Sequence, residues 1–230
     1  MRDGLDIWAL VPVKRLQGAK QRLSPVLEER ERTGLARAMV LDVLLALRHA
    51  WGLAGVAVVS EDPEARGLAR EHGAALIPEA QGGLNPALAA ALGTLADYGA
   101  HGALILHGDL PLATAEEVTA MIDAHPDGAG ATFVSARDGG TNAMLITPTD
   151  ALPPSYGQGS FDRHRTEAER RGLAVRALDL PGLGLDIDTP EDLATLLARG
   201  ARGHTMEYLL ATDVATRLHR ISVQSLEDNR

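Results

Sequence analysis

The sequence predicts an α/β fold, a mostly parallel central sheet flanked by helices, on three observations. Short runs rich in Val, Ile, Leu and Ala alternate with longer segments of helical period, the pattern left by repeated strand-helix units. The 230 residues suffice for one sizeable core, and 45% hydrophobic against 23% charged residues is the balance of a globular domain. No apolar run approaches the roughly 18 residues that a membrane span needs.

Strands are expected at Ile7–Val13, Gly55–Ser60, Ala74–Ile77, Ala103–His107, Ala131–Ser135, Ala143–Thr147, Ala174–Leu178 and Gly184–Asp188. Between them, helices are expected near Glu28–Ala50, Pro63–His72, Pro86–Tyr98, Ala115–Ala124, Phe161–Arg171 and Pro190–Ala198. In the first helix Leu35, Met39, Val43 and Leu47 recur at every fourth residue, giving one broad apolar face on which Gly34 is a blemish. Ser24 and Pro25 are suitable entry residues for it, with Glu28 and Glu29 in an early turn where the helix dipole favours anions. One domain is expected over residues 1–200, followed by a helical tail over 201–230. That tail, amphipathic through Met206, Leu209, Leu210, Val214 and Leu218, either packs on the chain's own core or joins two copies in a homodimer.

The formal net charge is -9, which argues against general nucleic-acid binding, because a nucleic-acid surface must be basic enough to displace counterions. Any phosphate site must then be local. The chain has no cysteine, so disulfides and thiolate metal sites are excluded and a cytoplasmic location is expected. The first apolar run ends in a lysine, not in a small-residue cleavage site, and reads as a strand rather than a signal peptide. Neither a membrane nor a nucleic-acid partner is expected.

In open α/β sheets, ligands sit where the loops converge at the carboxyl ends of the strands. Lys14 and Arg15 follow the first strand, Asp62 the second and Asp109 the fourth, while Asp186 and Asp188 close the last. The first loop, KRLQGAKQRLS, brings Lys14, Lys20 and Arg22, cations that suit a triphosphate, but lacks both the dinucleotide fingerprint and the Walker spacing. A solvated surface loop is the plain alternative. Asp109 ends an apolar strand in a Gly-Asp-x-Pro turn, where its carboxylate is either a hard ligand for Mg²⁺ or a turn residue bonded to its own backbone. Asp186 and Asp188, about 6.6 Å apart on one strand face, could share such an ion with Asp109. A helix cap competes for Asp188 and more strongly for Thr189, which leaves Asp186 the better ligand candidate. Thr141 after Asp138-Gly139-Gly140, with Gly157 and Ser160 before a helix, offers backbone N–H groups to a second anion; a plain turn is the alternative. Leu84 and Asn85 precede an alanine-rich helix, with Asn85 either meeting a base edge or capping that helix with Pro86 in its first position. The eight histidines are scattered. His164, flanked by Arg163 and Arg165, is the one expected near the site, as an anion contact at most.

Taken in order, PVKRLQGAKQRLSP, VVSEDP, GGLNPAL, HGDLPL, GGTNAMLITP, YGQGSF and LDIDTPEDL resemble the guanylyltransferases of deazaflavin coenzyme F-420 biosynthesis. The resemblance runs from about Trp8 to Leu197, and it is the combination that is specific. It implies a single-domain, Rossmann-like fold of GT-A type and transfer of GMP from GTP to a phosphorylated three-carbon acid, with release of pyrophosphate. On that likeness Thr141, Gly157 and Ser160 bind the acid, and Asp109 with Asp186 or Asp188 holds Mg²⁺. Lys14, Lys20 and Arg22 bind the GTP phosphates, and Leu84 with Asn85 faces guanine. An already ionised phosphate needs no general base, so catalysis reduces to alignment and charge neutralisation.

Phosphoenolpyruvate is the acceptor expected, because the Ala, Arg and Gly usage suggests a GC-rich bacterial coding sequence; 2-phospho-L-lactate and 3-phospho-D-glycerate are the alternatives. A molybdenum-cofactor type nucleotidyltransferase shares the acidic strand ends but carries a glycine-rich first loop, which this chain lacks. A non-catalytic nucleotide-binding regulatory domain would not need the acidic metal site.

Overall fold

A computed structural model describes residues 6–200 and 202–218. Seven strands form one sheet in the order β3-β2-β1-β4-β6-β5-β7. They are β1 (Ile7–Pro12), β2 (Leu53–Val59), β3 (Ala75–Ile77), β4 (Gly102–Leu106), β5 (Gly130–Ser135), β6 (Thr141–Thr147) and β7 (Ala174–Ala177). Every neighbouring pair is parallel except the two made by β6, which runs against both β4 and β5. The connections are α1 (Glu29–His49), α2 (Pro63–Glu71), α3 (Leu84–Asp97), α4 (Ala115–Ala124), α5 (Ser160–Arg170), α6 (Pro190–Arg199) and α7 (His204–Ala211).

Alternate strand residues feed two cores, as the period of two requires. Ala9 and Val11 of β1, Leu104 and Leu106 of β4 and Leu145 of β6 join one cluster with Leu35, Met39 and Val43 of α1 and Val118 of α4. Leu10, Ile105, Met144 and Phe133 face the other way, onto Leu88 and Leu92 of α3 and Ala168 of α5. A sheet covered on both faces leaves its carboxyl edge as the open side.

Three expectations are corrected. Residues 184–188 form no strand. Leu183, Leu185 and Ile187 are buried at alternate positions, so the period is real, but the segment is a strap laid across the ends of β4 and β6. Its course is set by Glu117, which accepts the N–H groups of Gly182 and Leu183 at 2.8 and 2.9 Å, and by Gly182, where a Cβ would overlap the Leu112 carbonyl. Next, α1 begins after Glu28, whose N–H is bonded by the Glu31 carboxylate at 2.9 Å, and Ser24-Pro25 belong to the turn preceding it. Finally, α3 starts at Leu84 with Gly83 as its cap, so Asn85 lies inside the first turn and Pro86 is not its first residue.

α7 packs on α1 of the same chain. Met206, Leu209, Val214 and Leu218 enter the core, and Asp42 of α1 accepts the first N–H groups of α7, from His204 at 2.7 Å and Thr205 at 2.9 Å. Gly34 is explained here: a Cβ would overlap the Tyr208 ring, whose hydroxyl donates to the Glu31 carbonyl at 3.2 Å. The part of the expected tail beyond Leu218, and Ala201 at its start, lies outside the described residues.

Candidate active site

The loop after β1 is tied down at both ends. The Leu16 N–H donates to Asp62 at 3.2 Å; the other Asp62 oxygen caps α2. Farther along, the buried Arg32 of α1 donates to the carbonyls of Ala19 and Leu27. Lys20 is then set in a left-handed backbone conformation (φ 53°), alone among the described non-glycine residues. Such a conformation persists where its surroundings over-determine it. It aims the Lys20 ammonium between two carboxylates, 2.6 Å from Asp109 Oδ2 and 2.6 Å from Asp188 Oδ1.

Electrostatics follow from that geometry. Burial alone would lower the Lys20 pKa, but the Asp109 and Asp188 carboxylates outweigh it and carry the ammonium above its ordinary value. Burial likewise opposes ionisation of Asp109, yet Lys20 holds its carboxyl below the usual range. Asp186 is raised, by burial first and by the Asp109 charge second. It faces Asn142, whose amide donates to it at 3.3 Å and to the Leu183 carbonyl at 3.0 Å. Thr189 caps α6 together with Asp192, leaving the Asp188 side chain to Lys20. Of the two strap aspartates, Asp188 shares the Lys20 ammonium with Asp109, and Asp186, expected as the better metal ligand, is bonded by Asn142. Arg22 stands at the rim, 4.0 Å from Asp188 and mostly exposed.

Lys14 and Arg15 are exposed on the lip of a cleft of about 270 Å³, which Leu84, His107 and Asp109 also line and which Met39 and Val40 of α1 floor. Leu84 is therefore where a base or sugar can reach it. The Asn85 amide is engaged elsewhere: its oxygen accepts the Tyr156 N–H at 2.7 Å and its nitrogen donates to the Tyr156 carbonyl at 3.1 Å. These two bonds fasten the 155–159 loop to α3.

The second anion motif lies at the same edge of the sheet. β6 runs against β4, with Leu106 paired to Ala143 and the His107 N–H donating to the Asn142 carbonyl, so Thr141 at the start of β6 lies at the edge where β4 ends and Asp109 follows. Ser160 donates its N–H to the Gly157 carbonyl at 3.0 Å and its hydroxyl to Thr141 at 3.2 Å. Thr141, Gly157 and Ser160 therefore come together as expected of a shared subsite.

Sequence reasoning passed over three residues. Arg32 and Asn142 are buried polar groups in runs that read as apolar periods, and their partners lie 13 and 44 positions away. His107 lines the cleft, contrary to the expectation that only His164 is near it; burial lowers its pKa. Its ring meets Tyr156 edge-on at 4.9 Å, and Tyr156 meets His164 at the same distance. His164 itself is buried and held neutral by that burial, so it is no cationic anion contact.

Asp109 and Asp188 already hold one positive charge between them, the Lys20 ammonium, and among the described residues no three His, Asp or Glu side chains gather into a metal cluster. Two carboxylates with the remaining positions open are what Mg²⁺ takes when substrate phosphates and water complete its shell.

A nucleotide-diphospho-sugar transferase structure from Desulfovibrio desulfuricans G20 superposes with a TM-score of 0.78 at 18% identity, over 94% of this chain and 98% of that one, which establishes a shared fold. The phosphoenolpyruvate guanylyltransferase of Rubrobacter xylanophilus is 43% identical over 198 residues, 85% of this chain and 96% of that protein. The 2-phospho-L-lactate guanylyltransferase of Methanothermobacter thermautotrophicus is 36% identical over 203 residues, 87% of this chain and 88% of that protein. The family described as "Guanylyl transferase CofC like" matches residues 7–228, and the chain belongs to that family.

Proposed function

We propose that this protein joins GMP from GTP to phosphoenolpyruvate and releases pyrophosphate, as a step of coenzyme F-420 biosynthesis. The observation that carries the reading is that Asp109 lines a cleft with Lys14 and Lys20 and holds the Lys20 ammonium, while the Thr141–Ser160 hydroxyl pair sits at the start of β6, on the sheet edge where β4 ends. Two anionic substrates brought to one sheet edge place a nucleophilic phosphate next to an electrophilic one. The acid's phosphate oxygen attacks the α-phosphorus of GTP; the bond to the β-phosphate breaks, and pyrophosphate carries away the electron pair.

Asp109 and Asp188 would hold Mg²⁺, which supplies charge neutralisation for the triphosphate and for the departing pyrophosphate. Lys20 and Lys14 hold phosphate oxygens, with Arg22 at the rim. Thr141, Gly157 and Ser160 seat the acid. Leu84 packs against the nucleoside. Asn85 acts indirectly, by holding the Tyr156 segment that borders the acid's seat.

The test is pyrophosphate release with GTP and Mg²⁺, comparing phosphoenolpyruvate, 2-phospho-L-lactate and 3-phospho-D-glycerate with no acceptor. Release that depends on phosphoenolpyruvate and exceeds that with the other two acids is expected. Preference for another acid would reassign the acceptor, and silence with all three while GTP binds would remove the transferase reading.

A further inference from the structure

We propose that His164 is a positioning residue which, as the neutral tautomer protonated at Nδ1, turns the Thr141 hydroxyl proton outward toward the bound acid. The inference rests on the reading of Thr141 as part of the acid's seat.

The hydrogen-bond directions at the imidazole leave one tautomer. The backbone N–H of Ser155 can only donate, and it points at His164 Nε2 from 2.8 Å. Nε2 must therefore be the bare, accepting nitrogen. In a neutral imidazole the proton then sits on Nδ1, which is 3.0 Å from Thr141 Oγ1 and donates to it. Ser160 Oγ donates to the same oxygen at 3.2 Å. A hydroxyl oxygen has two lone pairs and one proton. With both lone pairs of Thr141 occupied, its O–H is left as a donor, and no acceptor for it stands among the described residues.

The surroundings keep this tautomer in place. His164 is 1% exposed, stacked against Phe133 with ring centroids 6.2 Å apart and met edge-on by Tyr156. Arg163, the nearest fixed cation, is occupied with the Ser155 and Gln158 carbonyls. Burial first, then the charges of Arg163 and His107, lower the His164 pKa to about 4, so the ring stays neutral where the enzyme works. The arrangement thus commits a threonine, which by itself accepts or donates, to donating. An anionic oxygen needs a donor, so the commitment favours a charged acid over a neutral analogue.

The imidazole's two jobs can be separated by two amides. In His164→Asn the side-chain nitrogen falls near Nδ1 and still donates to Thr141. In His164→Gln the terminal oxygen falls near Nε2 and still accepts from Ser155, while the donor to Thr141 is lost. Steady-state KM values for phosphoenolpyruvate and for GTP are measured on both, with circular dichroism and melting to confirm the fold. His164→Gln should raise the KM for the acid about tenfold and leave that for GTP within about twofold; His164→Asn should recover most of the loss. Equal effects of the two variants, a larger effect of His164→Asn, or parallel rises in both KM values would overturn the relay and make His164 an anchor of the Ser155 loop. Independently of turnover, nitrogen-15 histidine spectra of the wild-type chain should show Nδ1 protonated and Nε2 bare. The opposite tautomer overturns the proposal even if the enzyme is active, whereas a wild-type chain silent with every acid overturns the reading on which it rests.

Discussion

The two halves of the candidate site are built on opposite principles. On the side of the β1 loop stand full charges: Lys20 lies between Asp109 and Asp188, with Arg22 and Lys14 farther out. On the side of the β5–β6 hairpin stand neutral groups, Thr141, Ser160 and His164, joined by hydrogen bonds. Charges at close range neutralise strongly but discriminate little, because Coulomb attraction depends weakly on angle. Hydrogen-bond networks contribute less each but reject a wrong shape or a missing acceptor. Under the proposed function the triphosphate, which must be neutralised for attack, belongs to the first half, and the choice of acid to the second.

That comparison can be broken at several points. Asp109→Asn removes one of the two carboxylates that hold Lys20 and should lower turnover at least about a thousandfold with the fold retained by circular dichroism; near-normal turnover would remove it from the reaction. Lys20→Met leaves Asp109 and Asp188 facing without their cation and should cost about a hundredfold in kcat/KM for GTP, measured at saturating acid. Acid pH should act on the neutral half. His164 has a folded pKa of about 4 against an ordinary value of 6.5, so the unfolded chain takes up its proton first, and the stability His164 contributes is complete above pH 6.5 and lost as pH falls toward 4. Protonation would also deprive the Ser155 N–H of its acceptor, with Arg163 and His107 nearby to oppose the new charge. Wild type should lose about 2 kcal/mol more stability than His164→Gln between pH 7 and pH 5, read from denaturant melts at each pH. Thr141→Ala should raise the KM for the acid about tenfold and leave that for GTP unchanged. Gly34→Ala addresses neither half: displacing Tyr208 should cost about 1 kcal/mol, part of it offset by the better helix former, with both KM values unaltered.

How much of this was legible in the sequence depended on how local each feature is. The strands β1 to β7, the helices α1 to α6 and the tail helix α7 follow from hydrophobic period and were readable, as was the delivery of charges to one edge of the sheet. The strap was misread because Leu183, Leu185 and Ile187 alternate as a strand does; what denied it a ladder was Glu117, 65 positions away, holding its entry. Asp186 and Asp188 could not be ranked from spacing, since the ranking turns on Asn142 taking one and Lys20 the other. Asn85 looked free for a base because its partner, the Tyr156 backbone, is 71 positions distant. His164 looked like a cation beside Arg163 and Arg165 because nothing in its own neighbourhood announces that Phe133 and Tyr156 bury it. Local period speaks for elements, and long-range polar pairing decides roles.

The central claim, that the two substrates are recognised by separate halves of one site, is tested most directly by two-substrate kinetics on Lys20→Met and Thr141→Ala side by side. The account predicts that the first variant is impaired in its use of GTP and the second in its use of the acid, each with little effect on the other substrate. Loss of the same substrate's KM in both variants would contradict it.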